Sequence, residues 1–569
     1  MKFDDSDAEK TTWDAKHGAV FLANIDDDKE RCPKTGDDVD LPKCNDASNE
    51  VVDGVDDALD LARLKTKPWA EAPATATAVL SVADPAKDKV RLFKRTGPGA
   101  ADFEVLTEDT PLTADEIRAG VELAIEGKDI VRDSAVWDGF ASVTLTVTVG
   151  ADSATDTVKM RIAPVMTYHH LLAAEEVFVS STGSPGNAAM RTQLSSACAA
   201  GGTPAPTLVD DQDQWTQDFF EPAFTSMPGA GGAQHVMRVN LRSANVAQPD
   251  DAKNPLRSAG AFIFTTLRGK DTAAIQQFDI KHSQDMDSLN SFGNLETIPP
   301  YTLADKTYPL GRIIRGKTPK FFPDPGFVTM MESQAMQPAV YIDTHWLLVG
   351  HVDETISFVK APLSKTVRGW VLLVNDPTIA KKMLEDQVTA GNGATPMFVG
   401  KNWVDDTTGK ALPAETTIKA VLADTTVMTA SADAATEIDG QLVKIKAETG
   451  LTDAEIVKIP FLHTTVGQGS YAYIPGMVNG VLVSETHFVA PDPHGPVING
   501  KDIFRQAMSD RLAPLGITVD FAEEAIHKAE AAVAQLTSGD EVKDKQKKGR
   551  PRTTTVCRAL TSRPAPERG

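Results

Sequence analysis

The hydrophobic pattern changes at about Pro164, and that change limits the chain to two architectures in series. Before it, apolar residues recur at every second position. Val79 to Val82, Val90 to Phe93, the set Val143, Leu145, Val147 and Val149, and the set Val158, Met160 and Ile162 all alternate. Period-2 patterning between Gly, Pro and Asp turns predicts an all-β sandwich over residues 13–163, behind a loose polar start at 1–12. Ala19 to Ala23 reads as a further short buried strand. After Pro164 strands alternate with helical stripes. Ala188 to Ala200 predicts a helix with Asn187 as its cap. Gly369 to Val374 predicts a strand. Asp376 then caps a helix that has Pro377 at its first position and Ile379, Ala380, Met383, Leu384 and Val388 on one face. Phe504, Ala507, Met508 and Leu512 form another stripe, with a strand at Ile517 to Phe521. Repeated strand–helix–strand units predict an α/β fold over residues 164–540. At 569 residues the chain exceeds what one core can hold.

Charge narrows the partners. A net charge of −22 disfavours a nucleic-acid surface and favours cations or cationic substrates. Asn24, Asp26 and Asp28 stand at alternate positions, so their oxygens can converge on one side, as calcium requires. Asp46, Asp57 and Asp60 follow in the same acidic stretch; a solvated acidic loop has the same composition. The four cysteines, Cys32, Cys44, Cys198 and Cys557, lack zinc spacing. Cys32 and Cys44 can pair across a loop, although nothing requires it, and Cys198 falls in an apolar helical stretch. No apolar run reaches membrane-span length, and the first residues lack a signal-peptide core. A cytoplasmic protein without membrane contact is the expectation. The last stretch, 541–569, is basic and Pro-rich and reads as a disordered tail.

Gly350-His351-Val352-Asp353-Glu354 puts charge straight after the apolar run Trp346-Leu347-Leu348-Val349. Burying charge is costly unless something uses it. If the run is a strand that continues, His351 and Asp353 point to one face. Asp213-Gln214-Trp215-Thr216-Gln217-Asp218 places further acids beside an aromatic. Carboxylates and a histidine converging on one point suit a planar guanidinium.

These stretches, with Gly18 to Asn24, Ser291 to Glu296, Tyr308 to Arg312 and Gly495 to Gly500, occur in the order found in the protein-arginine deiminases. The chain resembles that family over roughly residues 13–521. The resemblance implies an immunoglobulin-like β-sandwich followed by a five-bladed α/β propeller of the pentein type. It implies calcium as cofactor and arginine-containing proteins or peptides as substrates. It matches Asp57-x-x-Asp60 to the family's second acidic cluster. It places a further calcium site at Gln217, Glu221, the carbonyls of Phe292 and Leu295, and Glu296. Phe219 stands where the family has another acidic ligand, and Leu241 to Asn245 lacks the family's substrate-gripping arginine. Asp218 and Asp353 are implied to grip the guanidinium, His351 to protonate departing ammonia, and Trp215 and Val349 to wall the arginine stem.

The family's nucleophilic cysteine follows Gly-Glu-Val-His. Here Glu541-Val542 leads into Lys543-Asp544, and the nearest cysteine is Cys557. The function expected is calcium-dependent conversion of peptidyl-arginine to peptidyl-citrulline, with Cys557 as the candidate nucleophile. An inactive calcium-dependent binder of arginine peptides is one alternative. A hydrolase of free arginine derivatives is another.

Overall fold

Two four-stranded sheets form the first half of the computed structural model, which describes residues 1–523 except 5–8, 15, 230–232 and 406–410, together with 527 and 528. One sheet runs in the order Ala19–Phe21, Asp152–Ile162, Phe140–Val149, Thr77–Val82. The other runs Ala62–Lys65, Glu122–Gly127, Val90–Arg95, Phe103–Leu106. The alternation seen in sequence is realised as burial. Ala78, Leu80 and Val82 point inward from one strand, and Ala141, Val143, Leu145 and Val147 from its partner. They share one core with Leu92, Leu123 and Ile125 of the other sheet. That core does not stop at residue 163. It continues through Met237, Val239, Leu241, Phe292 and Phe327. The start of the chain is tied down where a loose segment was expected. Phe3 is buried, bridges Thr66, and donates its N–H to Asp156.

Among the described residues the second half repeats a parallel strand pair five times, beside a two-residue parallel pairing of Asn402–Asp405 with His527–Lys528. The pairs are Phe178–Ser180 with Thr207–Val209, Gln234–Arg242 with Thr272–Ile275, Arg312–Lys317 with Val340–Asp343, Trp370–Asp376 with Ile456–Pro460, and His487–Pro491 with Thr518–Ala522. Parallel neighbours need a crossover. The helices Pro185–Gly201, Pro325–Ser333 and Ile503–Leu512 supply three of them, and Pro377–Thr389 with Thr425–Thr449 lies in a fourth. Phe220–Pro228, Glu296–Ile298, Ile356–Lys360 and Val481–Ser484 pair antiparallel with four of these units. Among the described residues these remain separate small sheets. No helix of the described residues is long and apolar enough to cross a membrane.

Local chemistry explains most helix starts. Asp376 accepts from the Ile379 N–H, with Pro377 in the first turn, as expected. Ala380 and Leu384 are buried on the predicted face, and so are Phe504, Ala507, Met508 and Leu512 of the last helix. The helix expected from Ala188 starts earlier, at Pro185, and its cap is Ser184 rather than Asn187. Proline in the first turn sets the start. Asn187 instead accepts from the Thr182 N–H and donates to the Ser180 carbonyl, which ties the helix back to its preceding strand. Cys32 and Cys44 form a disulfide with Cα atoms 5.6 Å apart, and Cys198 is a buried free thiol. The basic stretch 541–569 lies outside the described residues.

Candidate active site

Trp346 to Val349 is not a strand. Leu347 makes one isolated bridge to Ser470, and the chain then turns. Gly350 takes a φ of 78°, a left-handed conformation that ends any extended run. His351 and Asp353 therefore sit on a turn, not on one face of a strand. Val352 is buried, and its carbonyl accepts the N–H groups of Thr355 and Ile356, where the next strand begins. The turn is pinned from both sides. The Asp353 N–H donates to the Gly293 carbonyl at 3.2 Å, and the Ser288 hydroxyl donates to the Val349 carbonyl at 2.7 Å.

Asp218 arrives on a different element. It lies in the short helix Thr216–Phe219, whose residues are all buried. The three expected polar groups meet over Gly293. A Cβ built on that glycine would sit 2.5 Å from His351 Nδ1, 2.9 Å from Asp353 Oδ2 and 3.1 Å from Asp218 Oδ1. The absence of a side chain at residue 293 is what lets them converge. His351 Nε2 lies 2.8 Å from the Ser288 carbonyl, which can only accept. That contact puts the proton on Nε2 and turns Nδ1 toward Asp218, 3.8 Å away. His351, Asp353 and Asp218 are all buried.

An arginine that pattern reading missed completes this cluster. Arg257 donates Nε and Nη2 to Asp213, at 2.5 and 2.7 Å, and Nη1 to Asp218 Oδ2 at 3.2 Å. Its Cζ lies 5.4 Å from the Trp215 ring centroid, within cation–π range. Burial opposes its charge, but Asp218 and Asp213 outweigh that and raise its pKa. No spacing in the sequence connects position 257 to positions 213 and 218. Val349 is buried in the turn beside the site.

Gln217, Phe292 and Glu296 converge next to the cluster. The Gln217 amide lies 3.4 Å from the Phe292 carbonyl and 3.4 Å from Glu296 Oε1. Glu221 is buried one strand position beyond, opposite Leu241. His170, which was not anticipated, brings Nε2 to 3.7 Å from Glu296 Oε2. Leu295 is buried between Phe292 and Glu296.

A second acidic cluster is centred on the first half and reaches His235 and Asp271 of the second. Ligand atoms of Asp26, Asp28 and Asp46 lie within 4.8 Å of one another, as do those of Asp46, Asp53 and Asp57, and those of Asp60, His235 and Asp271. Asn24 donates to Asp57 and Glu126, at 2.7 and 2.9 Å. Both carboxylate oxygens of Asp26 and of Asp28 are buried without a hydrogen-bond partner among the described residues. Burial raises the pKa of Asp26 and Asp60, and their acidic neighbours raise it further. Asp28 is pushed up to about 7 by burial and then by Asp46, and Glu126 to about 7 by burial. Unpartnered, mutually repelling oxygens are what a hard divalent cation relieves, so the residues present fit calcium. Asp53, Glu126, His235 and Asp271 join the cluster although the sequence did not single them out. Cys557 lies outside the described residues.

Fold and site together bring two carboxylates, a histidine and an arginine to one place in the second half of the chain. A sequence profile described as protein-arginine deiminase (PAD) matches residues 152–531, more than half of the chain. The chain therefore belongs to the protein-arginine deiminase family. It is 29% identical to human (Homo sapiens) protein-arginine deiminase type-3 over 382 residues, which are 65% of this chain and 52% of that protein. It is 31% identical to rat (Rattus norvegicus) type-4 over 246 residues, 42% of this chain and 35% of the relative. Human type-4 is 32% identical over 244 residues, 42% and 34% of the two chains. The chain spans about half the length of the first of these relatives and less of the others.

Proposed function

We propose that this chain is a calcium-dependent protein-arginine deiminase that hydrolyses peptidyl-arginine to peptidyl-citrulline and ammonia. One observation carries the reading: Asp218, His351 and Asp353, from two distant stretches, converge over Gly293. Two carboxylates hold the fork of a guanidinium and orient its carbon, which lowers the entropic barrier to attack. In the proposed chemistry a thiolate adds to that carbon, His351 protonates the departing ammonia, and water then cleaves the carbon–sulfur bond. Three of the four cysteines are poor nucleophiles here. Cys32 and Cys44 are joined, and burial pushes the Cys198 thiol up to about 11. That leaves Cys557 as the candidate.

Calcium is proposed at two places. Asn24, Asp26, Asp28, Asp46, Asp57 and Asp60 would hold it in the first half, and Gln217, Glu221, the Phe292 and Leu295 carbonyls and Glu296 beside the pocket. When bound there, calcium would neutralise buried carboxylates and tie Gln217, hence its neighbour Asp218, to Glu296. For the fold, we propose that the two sheets form an immunoglobulin-like sandwich and the five strand units a pentein-type α/β propeller. Arginine-containing proteins are the proposed substrates, with peptide against free arginine as the comparison that separates this from the free-arginine alternative. The Cys32–Cys44 disulfide stands against the expected cytoplasmic residence, because disulfides persist in oxidising compartments and are rare in the reducing cytosol.

The family match ends at residue 531, short of Cys557. That favours a second reading, an inactive calcium-dependent binder of arginine peptides. Citrulline formation on an arginine peptide, with calcium, separates them. Activity in the natural chain that disappears in Cys557→Ala supports the enzyme. Equal activity in both removes Cys557 from the mechanism. Calcium-dependent peptide binding without turnover supports the binder.

A further inference from the structure

We propose that Arg257 is a positioning residue that aims Asp218 at the substrate guanidinium. The proposal rests on the reading of Asp218, His351 and Asp353 as a guanidinium site. Asp218 has two carboxylate oxygens with different surroundings. Oδ2 accepts from Arg257 Nη1, and Oδ1 faces the point over Gly293 where His351 and Asp353 also converge. Arg257 thus grips the carboxylate from behind and leaves the other oxygen directed into the site.

The grip is anchored on both sides. Nε and Nη2 fork onto Asp213, whose Oδ1 also accepts the Trp215 N–H at 3.1 Å. The Arg257 N–H donates to the Asn245 carbonyl at 2.9 Å, and its carbonyl accepts from Arg242 Nη2 at 3.2 Å. Arg242 is itself buried and ion-paired to Asp38 at 2.7 Å. A planar guanidinium joined to two carboxylates fixes their relative orientation in a way that a point charge cannot. Asp218 itself sits in a four-residue helix, Thr216–Phe219. Removing Arg257 takes that constraint from the Asp218 carboxylate and leaves the half-buried Asp213 without its counter-charge. The cation therefore strengthens the site for a second cation, the substrate, by holding its ligand in place.

The test is binding of an arginine peptide and its lysine counterpart to the full chain in millimolar calcium, with the thermal transition as a second readout. Arg257→Ala should lower arginine-peptide affinity at least about tenfold, as expected for a lost charge-assisted contact. It should collapse the preference for arginine over lysine, because the orientation of Asp218 is what distinguishes a fork from a point charge. Arg257→Lys should restore the thermal transition without restoring that preference, which a merely structural role would not produce. Asp213→Asn, which loosens the anchor and keeps the arginine, should weaken binding in the same direction and serves if Arg257→Ala does not fold. Unchanged binding in both variants overturns the proposal and leaves the guanidinium site standing. Tighter binding by Arg257→Ala also overturns it, by identifying Arg257 as an occupant of the site. A natural chain that shows no preference for arginine removes the site and the proposal together.

Discussion

Gly293 lets three polar groups converge by leaving space where a side chain would stand, and its carbonyl holds the Asp353 N–H. Its Cα hydrogen lies where a methyl group would meet His351 Nδ1 at 2.5 Å, closer than real Cβ atoms come. The clash in Gly293→Ala falls on the buried imidazole and on Asp353, whose N–H is tied to the Gly293 carbonyl. Gly293→Ala is therefore expected to leave the fold standing and to reduce arginine-peptide binding or turnover roughly a hundredfold, the cost of displacing reacting groups by about an ångström. Isothermal titration beside a thermal melt checks this. Unchanged binding in a folded variant would mean that the three polar groups do not act together. The residue types of this site were readable along the chain, because a histidine and two acids next to apolar runs are an unusual expense of burial. Gly293 and Arg257 were not singled out. Glycine signals only freedom, and arginine has no periodicity that points across space.

Between residue and domain, the segment from Asp279 to Asn290 holds the site in register. His282 lies between Asp287 and Asp324, 2.8 Å from each. Burial works against its charged form, but hydrogen bonds to the two aspartates prevail and push its pKa up to about 10. Asp287 also accepts from Asn245 Nδ2 and the Val246 N–H. One residue further, the Ser288 carbonyl fixes His351. A histidine whose native pKa is raised contributes stability fully present below its unfolded value of about 6.5 and lost as pH rises through about 10. The natural chain should therefore melt higher than His282→Gln near neutral pH, and the gap should narrow steadily toward pH 10. Paired thermal melts across that range check it. A gap that does not change with pH would show that His282 is uncharged in the native chain. Elements whose starts rest on local chemistry were legible, as with Asp376 and Pro377. The Trp346–Val349 run misled because a short apolar run reads alike as a strand and as a buried turn. Only the left-handed φ at Gly350 separates them.

At the scale of the whole molecule, two candidate calcium sites tie distant parts together. Asp60 of the first half meets His235 at 2.7 Å and Asp271 lies close by, so the acidic cluster spans both halves. Burial and acidic neighbours raise the pKa of Asp26, Asp28, Asp60 and Glu126, so without metal these groups keep their protons to higher pH in the native chain than in the unfolded one. Native stability from this cluster therefore falls as pH rises from about 4 through about 7, the value for Asp28 and Glu126. Calcium needs the same groups ionised, so its binding releases protons and tightens with pH. The rise in melting temperature caused by calcium should be larger at about pH 8 than at about pH 5.5. Differential scanning calorimetry in calcium and in chelator measures it. A rise that shrinks over that range would count against a carboxylate calcium site. Much of the architecture was already written along the chain. Strands and helices bury one face each, and that requirement leaves a period of two or 3.6 in any sequence that folds. The disulfide was left open there, and the continuous core across residue 163 was not foreseen. The meeting of Asp218 with His351 and Asp353 was expected from resemblance, whereas Arg257 behind Asp218, His282 between two aspartates, and His235 and His170 at the acidic clusters came only with the fold. These contacts join residues far apart in the chain, and no local energy marks them. Each exists because packing of the whole places two polar groups where water has little access, and there they satisfy one another.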